Sequence, residues 1–298
     1  MTFRTSKFRS GGHELVYDDY GDPGTDRVLV YIHGLMLDSE INRGIARALA
    51  DHGHRVVLVD LLGHGRSDKP THASEYRIDT YTEQVVALLD ELDVPTAVLG
   101  GMSLGANISL FTASRRPDRV RGLVLEMPVL EWAVPSAALL FAPMVLLVHY
   151  ARPLVARLSS LVARVPATPS PAVNSFLHAA SLPPESMAAL LHGILVGPVA
   201  PSIEERCAIE APALILAHRN DLIHPFDDAA NLARQLPNAR LERARSPVEL
   251  RLRPDRLTDV IAAFLDDVWS SDEQGDTSAL ANGSVGMSHD AAERLRAR

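Results

Sequence analysis

Val28–Ile32 and Arg55–Asp60 are short, almost uninterrupted apolar runs rich in β-branched residues, the pattern of strands buried on both faces. Each is followed by apolar positions at helical spacing: Ile41, Ile45 and Leu49 after the first, Tyr81, Val85, Leu89 and Leu92 after the second. Residues 96–100 read as a third such strand, Leu104, Ile108 and Phe111 as the inner stripe of the helix after it, and 122–126 as the next strand. His13–Tyr20 alternates loosely and runs into Gly21-Asp22-Pro23-Gly24, so it reads as an edge strand closed by a turn. Strands alternating with helices of ordinary length predict crossover connections and a mostly parallel sheet covered on both faces.

From about 127 to 201 the alternation stops, and the chain becomes apolar and punctuated by proline. Its greasiest part, 134–148, is interrupted by Pro135 and Pro143 and closed by Arg152. That leaves it short of the roughly 20 residues that span a bilayer, and a cap of helices over the sheet is expected instead. The strand pattern resumes at Ala213–Ala217, followed by a helix over 230–236, a short strand at 239–244 and a loop over 245–253. A final helix carries Leu257, Ile261, Phe264, Leu265 and Val268, with Pro254 suited to its first turn. The expected division is a core in two parts, 1–127 and 206–270, a cap over 128–205, and an aperiodic, disordered tail over 271–298.

Composition narrows the chemistry. The chain has 298 residues, a formal net charge of −8 and one cysteine, Cys207. With no basic excess to neutralise phosphates, neither a nucleic-acid partner nor an anionic membrane surface is expected, and the interruptions of 134–148 argue against stable membrane insertion. A small hydrophobic molecule is the expected partner, and composition leaves the oligomeric state open. A single cysteine forms no internal disulfide, and the first residues lack the apolar core of a signal peptide, so a cytoplasmic protein is expected. No C-x-x-C, H-E-x-x-H or clustered carboxylates suggest a metal, and no G-x-G-x-x-G follows a strand, so neither metal nor cofactor is expected.

Gly101-Met102-Ser103-Leu104-Gly105 joins the third buried strand to its helix. A G-x-S-x-G in that context forms a tight turn that exposes the serine hydroxyl at the strand's carboxyl end. His33, Asp60, Ser103 and Glu126 all fall at or just beyond such ends, where ligands sit in open α/β sheets. Taken with His33-Gly34, with Asp60 before Gly63-His64-Gly65-Arg66-Ser67-Asp68, with the helical insertion and with Asp221 before Pro225, the chain resembles the α/β-hydrolase superfamily over roughly residues 12–269. The resemblance implies an α/β-hydrolase fold with its helical cap inserted after the strand that follows the nucleophile elbow. It implies Ser103 as nucleophile, the backbone N–H groups of Leu35 and Leu104 as oxyanion hole, and Asp221 as the acid that orients a histidine. It implies loop-structuring roles for His33 and His64.

In this superfamily the histidine lies in the loop before the last helix. Here that loop, 245–253, has no histidine, and Pro247 stands near the expected place. A serine hydroxyl is a weak nucleophile until a base accepts its proton, so the base must come from elsewhere or be absent. His224, on the same loop as Asp221, is one candidate, with Asp221 or Glu126 as its carboxylate. Glu249 and His218 are others. Asp221 also fits a simple Asx turn. The leading expectation is a serine hydrolase, esterase- or lipase-like, acting on a small hydrophobic ester, thioester or related acyl compound with an atypically placed base. Leu139, Leu140, Phe141, Met144 and Leu147 of the cap would enclose the apolar part of the substrate. Two alternatives stay open: a catalytically weak or inactive binding protein for a hydrophobic ligand or protein partner, and a cofactor-free lyase or isomerase on the same fold.

Overall fold

The computed structural model describes residues 3–219, 221 and 223–285, with side chains to 270. Strands β1 (Arg4–Ser10), β2 (His13–Tyr20), β3 (Val28–Ile32) and β4 (Arg55–Asp60) come first, with helix α1 (Arg43–Asp51) between the last two. Helix α2 (Ile78–Glu91), β5 (Ala97–Met102), α3 (Leu104–Arg115) and β6 (Val120–Glu126) follow. The sheet has eight strands in the order β1-β2-β4-β3-β5-β6, continued by β7 (Ala213–Ala217) and β8 (Ala239–Arg243). From β4 to β8 every pairing is parallel, whereas β1 and β2 join antiparallel at one side.

Successive strand residues enter two separate cores, as a pleat of period 2 requires. Val28, Val30 and Ile32 of β3 face the core under α2 and α3, while Leu29 and Tyr31 face the core shared with α1 and the last helix. The chain moves outward from β3 to β4 on one side and from β5 to β6 on the other, so the winding reverses between β3 and β5. That reversal opens a crevice at the strands' carboxyl ends, and Ser103 sits at its rim, directly after β5.

Between β6 and β7 the chain builds the cap from α4 (Val134–Tyr150), α5 (Arg152–Val162), α6 (Pro171–Ala180) and α7 (Pro184–Leu195), and returns through α8 (Ile203–Cys207). The cap is tied down at its root. Asn107 of α3 donates through Nδ2 to the carbonyls of Val129 at 2.7 Å and Val199 at 2.6 Å, and its Oδ1 accepts from Val129 N–H, so one amide stitches both ends of the insertion. Asp228, on α9 (Phe226–Gln235), is buried and accepts from the N–H groups of Leu130, Trp132 and Ala133. Helix α6 is clamped to the loop after β3: His178 Nδ1 lies 2.6 Å from Asp38 Oδ2, and Ser175 Oγ accepts from Asp38 N–H. Among the described residues no single helix is long and apolar enough to cross a membrane.

Four details differ from the sequence reading. His13–Tyr20 is not the edge strand: β1 pairs outside it, through a hairpin at Gly11 and Gly12, which both have positive φ. Strand β1 was missed because only Phe8 in it is buried, so it shows no apolar alternation. Its Arg4, Lys7 and Arg9 suit an edge that must not pair further. The 245–253 loop contains a short helix, α10 (Glu249–Leu252). The final helix, α11 (Asp255–Val285), continues past 270, where a disordered tail was expected to begin, and 286–298 lie outside the described residues. In the expected acyl wall, only Phe141 and Met144 pack against the core, while Leu139, Leu140 and Leu147 are exposed.

Candidate active site

Ser103 is held in a conformation that few residues adopt, with φ 54° and ψ −110°. Such a backbone costs on the order of 1–3 kcal/mol and persists only where its surroundings enforce it. Gly101 and Gly105 provide the enforcement: a Cβ at either would collide with the Ile32 carbonyl oxygen, so the start of α3 is pressed against the end of β3. Ser103 N–H is already engaged, donating to Glu126 O at 2.8 Å.

The exit loop of β7 brings two groups to the serine. His224 Nδ1 lies 2.9 Å from Asp221 Oδ2, and His224 Nε2 lies 3.0 Å from Ser103 Oγ. With Nδ1–H donating to the carboxylate, Nε2 is left to accept the serine proton, the arrangement needed in a general base. Asp221 Oδ1 accepts from the N–H groups of Ile223 at 2.8 Å and His224 at 3.1 Å, so the residue closes an Asx-type turn with one oxygen and orients the imidazole with the other. Both side chains are largely shielded, Asp221 12% and His224 14% exposed. Burial by itself would raise the Asp221 carboxyl. The hydrogen bond from His224, the Ile223 N–H and the charge of His224 outweigh it and hold the group well below the usual carboxylate range.

The other sequence candidates are not brought to the serine hydroxyl. Among the described residues, the side chains of Glu126, Glu249 and His218 make no hydrogen bond to Ser103. Glu126, at the end of β6, accepts from Tyr31 Oη at 2.7 Å and is ion-paired with Arg251. Glu249 receives Arg245 N–H and the Arg256 guanidinium. The Arg256 hydrogen bond holds its carboxyl below the ordinary range, making it a still weaker base. His218 is buried at the end of β7 and donates from Nε2 to the same Asp221 oxygen, at 3.0 Å. It is a second imidazole on the acid, a role the spacing of the sequence does not reveal. From the loop where the resemblance places the histidine, the chain instead offers Arg251, whose guanidinium pairs with Glu126 and donates to Asn42 Oδ1 at 2.8 Å.

The two backbone donors expected for an oxyanion hole belong to Leu104 and Leu35. Leu104 N–H begins α3 and, as the first amide of a helix, has no intrahelical acceptor. Leu35 follows Gly34, which packs so closely on Met102, the residue before the serine, that a Cβ there would crowd the Met102 side chain. His33 fixes that turn: its Nε2 accepts from Leu61 N–H at 3.1 Å, so Nδ1–H donates to Gly34 O at 2.8 Å. His64, tilted against His33 at 4.7 Å between ring centroids, likewise bonds backbone, through Nδ1 to Leu62 O. Among the described residues no group of three or more His, Cys, Asp or Glu is placed to hold a metal ion. A surface cavity of about 380 Å³ is lined by residues of α2 and by Arg115 and Arg116, and not by Ser103, Asp221 or His224.

Comparison with known proteins agrees with this geometry at the level of fold. The chain is 39% identical over 108 residues to a haloalkane dehalogenase of Agrobacterium fabrum, covering 36% of this chain and 34% of that one. It is 36% identical over 103 residues to a putative non-heme haloperoxidase of Mycobacterium phage D29, covering 34% and 36%. The matches thus span about a third of these curated relatives. The crystal structure of an enol-lactonase from Burkholderia xenovorans LB400 superposes with a TM-score of 0.70 at 23% identity, covering 88% of this chain and all of that one. The family model for the alpha/beta hydrolase fold matches residues 27–246, and the chain belongs to that family.

Proposed function

We propose that the protein is a serine hydrolase acting on small hydrophobic esters, thioesters or related acyl compounds, with its catalytic histidine on the loop after β7. The observation that carries this reading is the continuous relay from Asp221 Oδ2 through His224 to Ser103 Oγ, with links of 2.9 and 3.0 Å. The names of the relatives, dehalogenase, haloperoxidase and lactonase, cover different reactions. A serine at the elbow with a base in reach supports the reading of acyl transfer among them.

In the proposed reaction Ser103 Oγ attacks the substrate carbonyl carbon while His224 Nε2 takes the hydroxyl proton. The carbonyl oxygen gains negative charge and is held by the N–H groups of Leu35 and Leu104, each worth about 3 kcal/mol of transition-state stabilisation. Collapse expels the alcohol or thiol, which receives the proton from His224. Water then attacks the acyl-serine with the same imidazole as base, releasing the acid and restoring Ser103. Asp221 stabilises the imidazolium and fixes its tautomer throughout.

A fluorophosphonate probe tests the reading directly. Wild type should label rapidly at Ser103, and Ser103→Ala and His224→Ala should both lose labelling while their circular dichroism stays native. A folded wild-type protein that does not label would remove the acyl-hydrolase reading.

A further inference from the structure

Helix α4 is apolar on all sides. Phe141, Met144, Val145 and Val148, spaced for one face, pack against the core, which accounts for only half of its surface. The opposite stripe, Leu139, Leu146 and Tyr150, is exposed, Leu139 and Tyr150 each at 79%. Helix α5 repeats the arrangement: Val155 and Ser159 are buried, while Leu154, Leu158 and Leu161 stand outward at i, i+4 and i+7. Of the eighteen large hydrophobic residues that are exposed among the described residues, thirteen lie between 132 and 176. A helix apolar all round is normally covered on every side, and a contiguous patch of this kind marks an interaction surface.

Charge identifies what covers it. From 132 to 184 the sequence contains no Asp or Glu, although the whole chain has a formal net charge of −8. The same segment contains Arg152, Arg157 and Arg164. Arg152 lies 3.9 Å from Glu185, whereas Arg157 and Arg164 have no ion-pair partner among the described residues. Arg157 in α5 and Arg164 just beyond its end each follow an exposed leucine, Leu154 and Leu161, by three residues, so the apolar stripe is edged by cations. That combination matches the boundary of a bilayer carrying anionic lipids, with hydrocarbon for the leucines and phosphate for the guanidinium groups. A second copy of the chain would bring like charges together across the same face.

We propose that the outer face of α4 and α5 docks on anionic lipid surfaces, with the helices lying in the interface. Helix α4 has 17 residues and α5 has 11, and the pair is bent by 103°. At about 1.5 Å per residue neither covers a hydrocarbon core of about 30 Å, so the pair lies along the membrane plane. The proposal rests on the cap surface and is independent of the chemistry at Ser103.

Flotation of the full chain with vesicles of phosphatidylcholine containing about one-quarter phosphatidylglycerol tests it. Wild type should float with these vesicles and much less with phosphatidylcholine alone. The emission of Trp132, which is exposed beside the patch, should shift to the blue, and Trp132→Phe should abolish the shift. Leu146→Glu with Leu158→Glu should lower partitioning at least tenfold. Arg157→Gln with Arg164→Gln should lower it about twenty-five-fold on the mixed vesicles only, since each arginine contributes about fivefold. All these variants should keep the wild-type melting temperature, and Ser103→Ala should bind vesicles as wild type does, which separates a failure here from a failure of the hydrolase reading. Absence of binding to the mixed vesicles, or equal binding to neutral ones, overturns the proposal. So does a dimer in sedimentation velocity that Leu146→Glu converts to monomers without any effect on vesicles.

Discussion

Asp221 answers to two histidines and two backbone amides at once, and its substitution separates the parts of the relay. In Asp221→Asn the side chain no longer favours the His224 tautomer with Nδ1 protonated, so kcat should fall about 10⁴-fold with little change in the fold, measured by steady-state hydrolysis of a soluble activated ester beside circular dichroism. Arg251 poses the opposite case, a residue vital to stability and remote from the proposed chemistry. Its guanidinium is buried against Glu126. Arg251→Ala leaves that carboxylate buried and unpaired and should cost about 3–5 kcal/mol in urea unfolding, whereas the joint replacement Glu126→Gln with Arg251→Met should cost far less.

At the scale of elements, the cap is held by a few polar stitches at its root, and Asn107 is the one that touches both ends. Asn107→Ala strands the Val129 and Val199 carbonyls and should cost about 1–3 kcal/mol. The loss should show as faster amide exchange across 128–200 with exchange in the sheet unchanged. Most of the sheet was legible in the sequence because strands buried on both faces leave continuous runs such as Val28–Ile32, and because glycine has a steric reason to stand on either side of Ser103. The elements that escaped were those whose role is polar. Strand β1 contributes one buried side chain, α10 is held by Glu249 and Arg251, and Asn107 works through an amide that no periodicity marks. The His224 position was visible only as a histidine three residues after the acid, and its reach to the serine depends on how the β7 exit turns.

For the whole molecule, several buried histidines set how stability responds to acid. Burial lowers His33 and lowers His64 well below its ordinary value, the neighbouring charge of His33 adding to the effect on His64. In the unfolded chain these imidazoles take up protons near pH 6.5. The folded protein resists, so below that pH protonation favours the unfolded state and stability is lost as pH falls. The melting temperature should therefore drop between about pH 7 and about pH 5, and His64→Gln should make that slope shallower. Asp221, held low in the fold, adds a further loss only in stronger acid. The position of the acid and base on one turn has a broader consequence. Where acid and base come from separate loops, a site needs two long-range alignments. Here Asp221 and His224 are set against each other by local torsions, and a single long-range coordinate remains, the span from the β7 exit to the β5 exit across β6. A change in the C-terminal third of the fold that preserves those three adjacent strands leaves the relay in register, so this segment is free to vary without detuning the site.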